Sequence, residues 1–404
     1  MRPRLLLIVF CPFAAGYFLS FFFRNVNAVI ARDLSAEFSL APADLGFLTA
    51  TYLLAFAAFQ LPLGVLLDRY GPRRVVATLL CVAAAGALVF GLARDFTMLS
   101  VGRALIGLGV SGGLMGAIKA FTLWFPLPRL ALLNGLYLAA GGIGSLSATA
   151  PAEAFIGPFG WRALFYLLAA LSIIAASLVF FVVPEKPLPG EGQTLRAQIL
   201  AFRRIFAHRD FRRIALAMVV CHAGYLSLSG LWLAPWLADV AGLGRAAIAY
   251  YLFLTVLAYI AGSAAFGLLG ERLPTLKVFK LGLAISVATF ALIAAGVHAA
   301  LGPLLAAYAF FNISASLGYP LMTRLFPAEM TGRVNTASNL LMFAVAFVFQ
   351  WGTGAVLGLF PGGEGRYTIE GYRVAFGILV LCQLATLAWL APLTAGPEAK
   401  LQRR

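Results

Sequence analysis

The stretch Gly64-Val-Leu-Leu-Asp68-Arg69-Tyr-Gly71-Pro-Arg73-Arg74, the first cassette, forms a short polar interruption between two long apolar segments. A weaker copy, the second cassette, follows 203 positions later as Gly267-Leu-Leu-Gly-Glu271-Arg272-Leu-Pro-Thr-Leu-Lys277. The pairs Gly64/Gly267, Asp68/Glu271 and Arg69/Arg272 all share that offset. A charged cassette that occurs once per half, each time between membrane-length segments, indicates an internally duplicated membrane protein.

The composition supports this interpretation. Of the 404 residues, 62% are hydrophobic and only 11% are charged, whereas soluble domains contain about 45–50% apolar and about 25% charged residues. Segments of about 20 apolar residues can cross a hydrocarbon core about 30 Å thick. We therefore predict an all-α membrane protein with twelve transmembrane helices in two pseudo-symmetric six-helix bundles. The segments lie near 5–30, 43–67, 74–94, 98–123, 130–153, 162–183, 213–237, 246–269, 277–297, 302–324, 334–359 and 372–393.

The formal charge of +15 follows the membrane topology. With the N-terminus assigned to the cytoplasm, 21 Lys and Arg residues fall on the cytoplasmic side and seven on the outer side. This positive-inside bias predicts a multi-pass protein of a bacterial-type inner membrane, with both termini cytoplasmic. We expect the lipid bilayer, and not nucleic acid, as the partner of this charge. The outer residues are Arg32, Arg94, Arg103, Arg162, Arg245, Arg366 and Arg373.

A long polar connection divides the chain. We predict an N-terminal bundle at 1–183, a cytoplasmic linker at 184–212, a C-terminal bundle at 213–394 and a cytoplasmic tail at 395–404. The basic, amphipathic stretch Leu195 to Arg213 is either a helix on the anionic inner leaflet or a solvated tether.

Shorter echoes also indicate duplication. Phe125-Pro126 recurs as Phe326-Pro327, and Asn134 recurs as Asn335. Gly160-Trp161-Arg162 recurs as Gly371-Tyr372-Arg373. Because these pairs occur in the same order and at equivalent loop positions, they favour two related halves.

The first cassette resembles the G-x-x-x-D-R-x-G-x-R-[RK] loop signature of the major facilitator superfamily. The resemblance implies two bundles that rock around a central substrate site, with alternating access. It also implies that Asp68, aided by the arginines, latches the outward-facing state near the end of helix 11, where a helix N-terminus favours a carboxylate. The expected conformational gate comprises Gly64, Asp68, Arg69, Gly71, Arg73, Arg74, Glu271 and Arg272.

Polar side chains inside membrane helices are costly and therefore mark candidate sites. In the first segment, spacings of three and four residues place Tyr17, Ser20, Arg24 and Asn27 on one face. Arg24 either binds the substrate or a coupling ion, or caps neighbouring carbonyl groups. The stretch Phe-Phe-Phe-Arg24-Asn25-Val-Asn27-Ala resembles helix 1 of organophosphate exchangers and related organic-anion carriers, in which the matching arginine binds the anion.

The segment 98–123 contains Lys119, about one turn from its inner end. The ammonium group either extends to the cytoplasmic interface or adds a second positive charge to the substrate cavity.

Two further segments contain polar and aromatic stripes at helical spacing. The segment 213–237 contains His222, Tyr225, Ser229, Trp232 and Trp236. His222 is either a proton carrier, because histidine titrates near neutral pH, or a neutral structural residue. The segment 302–324 contributes the polar residues Tyr308, Asn312, Ser316 and Tyr319.

All fifteen acidic residues fall at helix ends or in loops, so the substrate is the natural counter-charge for a buried cation. We therefore predict a secondary transporter for a small organic anion or zwitterion, coupled to protons by symport or exchange, that acts as a monomer. Drug or metabolite efflux remains an alternative, as does copper import through Met218, Cys221 and His222, or a non-transporting sensor. The sequence shows no nucleophile constellation and no Walker motif, so we expect neither an enzyme nor a cofactor or resident metal.

Overall fold

The computed structural model describes residues 3–186, 195–297, 300–327, 330–362 and 366–393. Within these ranges the chain is helical, apart from turns and one isolated β-bridge between Pro361 and Tyr367. The helices are α1 Leu6–Phe38, α2 Pro42–Gly91, α3 Phe96–Trp124, α4 Leu127–Ser147, α5 Ala150–Val182, α6 Leu195–Ala207, α7 Arg209–Asp239, α8 Arg245–Arg272, α9 Thr275–Ala294, α10 Leu301–Thr323, α11 Thr331–Leu357 and α12 Ile369–Leu390.

The helix α2 has 50 residues, and at 1.5 Å per residue a straight helix of that length would measure about 75 Å. It bends at Gly71, whose φ of 79° and ψ of 161° are accessible to glycine and unfavourable for other residues. Leu63 and Leu67 pack against Val75 and Leu79, so the two arms fold back on each other at the first cassette. The helix α2 therefore supplies two membrane crossings.

Ten helices in the described ranges are long and apolar enough to cross a membrane. This number counts α2 once and omits α4, which has 21 residues. With α2 counted as two crossings and α4 added, the chain has the twelve helices expected from its sequence.

The helices pack into two compact units. The first unit comprises Met1–Ser39 with Leu48–Ala197, and the second comprises Leu40–Phe47 with Gln198–Arg404. In the first unit, α1 packs mainly on α4 and α5. At Gly144 of α4 an added Cβ would lie 2.2 Å from the backbone oxygen of Phe18, so the glycine permits the close approach of α1 and α4.

In the second unit, α7 packs on α11 and α12, and α10 packs on α8 and α9. The first residues of α2 belong to this unit, because Phe47 packs its ring against Phe347 and Trp351 of α11.

The repeated tripeptide at 160–162 organises one end of the first unit. Arg162 forms an ion pair with Glu37 at the end of α1, at 2.5 Å, and donates to the carbonyl oxygen of Ala93 at 2.9 Å. Trp161 donates its indole N–H to the other carboxylate oxygen of Glu37 at 3.0 Å. We call Glu37, Ala93, Trp161 and Arg162 the Glu37 cluster.

The copy at 371–373 makes equivalent contacts in the second unit. Tyr372 donates its hydroxyl to Asp239 at 2.9 Å, and Arg373 donates to the carbonyl oxygen of Ala295 at 3.4 Å. We call Asp239, Ala295, Tyr372 and Arg373 the Asp239 cluster. Asp239 and Ala295 follow Glu37 and Ala93 by 202 positions. Burial and the nearby charge of Asp239 raise the pKa of Tyr367, whose backbone N–H also donates to Asp239, to about 12.

Part of the predicted linker, residues 187–194, and the predicted tail 395–404 lie outside the described residues. The helix α6 follows the first of these gaps. Its Phe202 and Ile205 are buried in the second unit, whereas Arg203 and Arg204 are exposed. These apolar positions are therefore covered by protein of the second unit. We had expected them to lie on the lipid or in solvent. The domain boundaries themselves stay a prediction.

Candidate functional site

Arg24 lies in the middle of α1, as the nineteenth of its 33 residues. Its side chain is half-buried, and the guanidinium carbon lies 4.6 Å from the ring centroid of Phe21 and 5.6 Å from that of Phe56. Aromatic faces stabilise a partly desolvated cation. The charge is thus held inside the first unit by rings from α1 and α2.

A second arginine contacts the backbone of Phe23, the residue that precedes Arg24. Arg103 of α3 is 0% exposed and donates from Nη1 to the carbonyl oxygen of Phe23 at 3.0 Å. Its guanidinium carbon lies 5.1 Å from the ring centroid of Tyr52. The Tyr52 ring stacks with that of Phe56 at 6.3 Å, so the two aromatic rings connect the two guanidinium groups. We call Phe21, Arg24, Tyr52, Phe56 and Arg103 the arginine–aromatic cluster.

The expectation that Arg103 belongs to the outer surface charges was wrong. The side chain can be buried because its charge is stabilised by a hydrogen bond to the carbonyl oxygen of Phe23 and by contact with the ring of Tyr52. Its Nε and Nη2 atoms have no hydrogen-bond partner among the described residues. The sequence signal that indicates its burial is its position inside an apolar segment, between Gly102 and Gly107. Because glycine has no side chain, α3 approaches Phe90 and Tyr52 closely at these two positions. Without Arg103, the expected topology still has 21 Lys and Arg residues on the cytoplasmic side and six on the outer side.

Two other predicted site residues of α1 contact different neighbours. Tyr17 is buried and stacks on Tyr137 of α4, with ring centroids 4.2 Å apart. Asn27 is 0% exposed and donates to the Thr49 hydroxyl at 3.0 Å. Tyr17 also contacts the ring of Phe21, a member of the arginine–aromatic cluster, with centroids 4.8 Å apart. The structure therefore brings Tyr17 to the edge of this cluster, whereas Asn27 contacts Thr49.

Lys119 forms an ion pair with Asp68, the carboxylate of the first cassette. The Lys119 side chain is 24% exposed and that of Asp68 is 35% exposed, so the pair is partly shielded from solvent. The sequence left Lys119 with two alternatives, extension to the interface or exposure to the cavity. The ion pair with the first cassette gives Lys119 a partner that the sequence did not predict, and the choice between the two alternatives stays a prediction.

The arginines of the first cassette connect it to the end of α5. Arg73 donates from Nε to the carbonyl oxygen of Phe180 at 2.7 Å, and Arg74 forms a 2.7 Å ion pair with Glu185. Arg69 is exposed, with its guanidinium carbon 5.3 Å from the Tyr70 ring centroid.

Gly64 lies in the first arm of α2, and Gly71 forms its corner. In the second cassette, Arg272 is exposed at the end of α8. The side chain of Glu271 lies outside the described residues.

A polar network lies in the second unit. The Nδ1 atom of His222 lies 2.9 Å from Oδ1 of Asn312. The amide nitrogen of Asn312 donates to the carbonyl oxygen of Cys221 at 3.1 Å and to the Ser286 hydroxyl at 3.3 Å. Asn312, which is 0% exposed, thereby joins α10 to α7 and α9. We call these four residues the histidine–asparagine network.

Aromatic rings enclose this network. The Tyr225 and Tyr259 rings stack with centroids 4.9 Å apart and an interplanar angle of 7°. The His222 ring lies 6.0 Å from Tyr225 and 6.1 Å from Tyr259. Tyr308 contacts Tyr225 at 5.7 Å. The predicted stripes at 213–237 and 302–324 thus meet through His222, Tyr225, Tyr308 and Asn312.

The remainder of the stripe at 213–237 contacts other partners. A π-helical turn at Leu228–Trp232 interrupts α7 and changes the register of the residues that follow. Trp232 is 0% exposed and donates to the carbonyl oxygen of Gln350 at 2.9 Å.

Similarly, a 3-10 turn at Ile313–Leu317 interrupts α10. The hydroxyl of Tyr319 donates to Oδ1 of Asn339 in α11. Trp232 follows His222 by ten residues and Tyr319 follows Asn312 by seven, so about 15 Å and about 10 Å of helical rise separate these pairs along their helices.

Comparison with known proteins identifies the class to which this architecture belongs. The family model of the Major Facilitator Superfamily matches residues 13–350. The chain belongs to the Major Facilitator Superfamily, and it is a multi-pass integral membrane protein with the all-α fold of that family's transporters.

A probable sulfoacetate transporter of Cupriavidus necator is 23% identical over 380 residues, which cover 89% of this chain and 82% of that protein. A probable nitrate/nitrite antiporter of Thermus thermophilus is 28% identical over 228 residues, which cover 53% of this chain and 50% of that protein. The crystal structure of a bacterial homologue of the human lysosomal transporter Spinster aligns with a TM-score of 0.78, at 19% identity and 95% coverage of both chains. This structural likeness shows the fold alone.

Proposed function

We propose that this protein is a secondary active transporter that moves a small organic anion by alternating access, with protons as the coupled ion in symport or exchange. The observation that carries the proposal is the arginine–aromatic cluster. Two guanidinium groups, those of Arg24 and Arg103, lie in the interior of the first unit, where positive charge is costly to bury. A bound anion would offset that cost and would gain from the low dielectric around it.

The distribution of carboxylates supports an anionic substrate. Every described acidic residue lies within two turns of a helix end or of the corner at Gly71. The middle of α1, which contains Arg24, is separated from such positions. A cationic substrate would require a negative group at this depth, so the charges of the first unit favour an anion.

Two relatives are named for anions. One is a probable sulfoacetate transporter and the other a probable nitrate/nitrite antiporter. Sulfoacetate carries a carboxylate and a sulfonate, both planar or trigonal arrays of oxygens that a guanidinium fork can bind through two hydrogen bonds. We therefore propose short sulfonates and carboxylates as the substrate class, with Arg24 as the principal contact.

The proton coupling is proposed for the second unit. His222 is half-buried and lies among aromatic rings, and histidine is the side chain that exchanges a proton most readily near neutral pH. Symport predicts that an inward proton gradient increases anion uptake, whereas exchange predicts that internal anion is required.

The first cassette is proposed as a conformational gate. Its Asp68–Lys119 ion pair and its Arg74–Glu185 ion pair tie the corner of α2 to α3 and to the end of α5. We propose that these pairs break in another conformation and thereby bias the equilibrium between states. The positive-inside bias supports cytoplasmic termini in a bacterial-type inner membrane, and we propose that the unit of transport is a monomer.

Uptake into liposomes that contain the purified protein tests the proposal. We expect sulfoacetate to enter and a neutral sugar to be excluded. Substitution of Arg24 by Gln should reduce sulfoacetate uptake by about 100-fold or more, because loss of one partner of a buried charge pair costs about 2–5 kcal/mol.

The matched control is Arg32→Gln, which removes the same charge from an exposed position of the same helix. This variant should transport within about twofold of the natural protein, because exposed charges contribute little. Equal uptake by the Arg24→Gln variant and the natural protein would refute the site, and transport of neutral solutes alone would refute the substrate class.

The alternative of efflux differs in direction, and the same liposomes test it when the gradients are reversed. Copper import gains no support from the described residues. In these residues no group of three or more His, Cys, Asp or Glu side chains could hold a metal ion. Cys221 is 0% exposed, and Met218 lies against Gly318.

A further inference from the structure

The orientation of the Asn312 amide follows from its partners. The oxygen of Cys221 is a backbone carbonyl and can only accept a hydrogen bond. The atom of Asn312 that lies 3.1 Å from it must therefore be the NH₂ group. The amide oxygen then points toward His222, whose Nδ1 lies 2.9 Å away.

An amide oxygen can only accept, so Nδ1 of His222 must carry a hydrogen. We infer that Asn312 is a positioning residue that holds neutral His222 in the Nδ1–H tautomer, so that the proton coupled to transport binds and leaves at Nε2. The coupling role rests on the proposed function, whereas the tautomer follows from the hydrogen bonds alone.

This tautomer allows protonation without any rearrangement of the network. When Nε2 accepts a proton, the ring becomes an imidazolium with an N–H group on each nitrogen, and the Nδ1–H bond to Asn312 persists. Release of the same proton restores the starting tautomer. In the opposite tautomer, Asn312 would have to turn its NH₂ group toward His222 and lose the bond to the carbonyl oxygen of Cys221, whereas the Ser286 hydroxyl could donate to the amide oxygen instead.

The surroundings of His222 fit a group that changes charge. The titratable groups near it are Cys221 and Tyr225 on α7, Tyr259 on α8 and, through Tyr225, Tyr308 on α10. The faces of Tyr225 and Tyr259 can stabilise an imidazolium through cation–π interaction. The helix α9 contributes the neutral Ser286.

The remaining helices add no charge at this level. The charged residues of α8, α9, α11 and α12 all lie within the first two turns or at the last residues of their helices, and α10 has none. The other titratable groups of these helices are Tyr250 and Tyr251 of α8, Tyr319 of α10, and Tyr372 and the half-buried Cys382 of α12. Among all these side chains, that of His222 is the one whose ordinary pKa lies nearest neutral pH.

Nitrogen NMR of the full-length protein in lipid, with ¹⁵N-labelled histidine, tests the inference directly. The chain has three histidines, and a His222→Phe variant identifies the signals of His222. At a pH at which the ring is neutral, we expect Nδ1 to be protonated and Nε2 to be unprotonated. One hydrogen bond worth about 1.4 kcal/mol would favour the Nδ1–H tautomer over the Nε2–H tautomer by about tenfold.

Two variants separate positioning from general packing. Asn312→Leu keeps the number and branching of the side-chain heavy atoms and removes the acceptor, so His222 should lose its preference for Nδ1–H. Ser286→Ala removes one of the two acceptors of the Asn312 amide, and the bond to Cys221 should keep the tautomer unchanged.

A wild-type spectrum with the proton on Nε2 would overturn the inference, as would an unchanged tautomer in the Asn312→Leu variant. The wild-type spectrum is decisive even if that variant does not fold. Because no substrate is present, the result is independent of anion uptake. An Nδ1–H tautomer together with pH-independent uptake would instead refute the proton coupling of the proposed function.

Discussion

Arg103 in the first unit and Tyr308 in the second occupy matching positions. Each is the eighth residue of its helix, α3 or α10, and each is fully buried. Arg103 donates to the carbonyl oxygen of Phe23, and Tyr308 packs on the ring of Tyr225, which follows Phe23 by 202 positions. The duplication thus preserved the packing position, whereas the chemistry at this position changed from a cation to a neutral phenol.

The difference extends through both interiors. The arginine–aromatic cluster gives the first unit fixed positive charge, and the histidine–asparagine network gives the second unit a neutral group that can become charged. A fixed charge suits binding of an anion, and a titratable ring suits exchange of a proton. Affinity for the anion and dependence on pH should therefore be separable by unit.

The largest expected effect compares these matching positions. Arg103→Met should lower the ratio kcat/KM for anion uptake by about tenfold, because a charge within about 10 Å contributes on the order of 1.5 kcal/mol at an effective dielectric constant of about 20. Tyr308→Phe should change it by less than about threefold. Uptake kinetics in liposomes measure both variants.

Thermal unfolding of Arg103→Met provides the control. Replacement of a buried cation that has unsatisfied N–H groups by an apolar side chain should leave stability unchanged or higher. If Arg103→Met is clearly less stable than the natural protein, or if Tyr308→Phe loses as much uptake as Arg103→Met, the assignment of charge-dependent binding to the first unit is wrong.

A smaller effect is expected at the cassettes, where the first unit has the Asp68–Lys119 ion pair. Asp68→Asn and Lys119→Gln should each slow uptake by about fivefold, because a partly shielded pair contributes about 1 kcal/mol. The double variant should lose less uptake than the two single losses combined would predict. Strict additivity of the losses would show that the two side chains act independently.

The smallest effect compares the Glu37 and Asp239 clusters. Arg162→Gln should lower the free energy of unfolding by about 1 kcal/mol, because Arg162 contributes both an ion pair with Glu37 and a contact with the Trp161 ring 4.3 Å away. Arg373→Gln should lower it by a few tenths of a kcal/mol, because Arg373 donates one long bond from an exposed position. Denaturation in detergent measures both, and equal losses would contradict the asymmetry.

The repeated tripeptides predicted that the two clusters are related, but they did not predict which residues contact one another. Gly160-Trp161-Arg162 and Gly371-Tyr372-Arg373 were visible as copies, but their partners Glu37 and Asp239 lie more than a hundred residues away in the chain. In the same way, His222 and Asn312 were both candidates from their spacing within separate helices. The bond between them depends on how α7 and α10 pack, which helical periodicity does not specify.

Local interruptions of the helices limited the prediction further. Spacings of three and four residues place Trp232 on the same face as His222 only in an unbroken helix, and the π-helical turn at Leu228–Trp232 breaks that condition. Arg103 was misplaced for a related reason, because a charge near the start of an apolar segment can face either solvent or the interior.

Hydrophobic length, the repeated cassette and the bias of Lys and Arg are properties of the chain that the bilayer itself selects, so the amino-acid order was sufficient to predict twelve helices in two halves. Partners of buried polar groups are different, because they depend on which faces meet across distant helices. The pairing of Lys119 with Asp68, of Arg103 with the carbonyl oxygen of Phe23 and of His222 with Asn312 was therefore decided by tertiary packing alone. For Arg103 and His222, the cost of an unpaired polar group in an apolar interior is met by a residue 80 or 90 positions away in sequence.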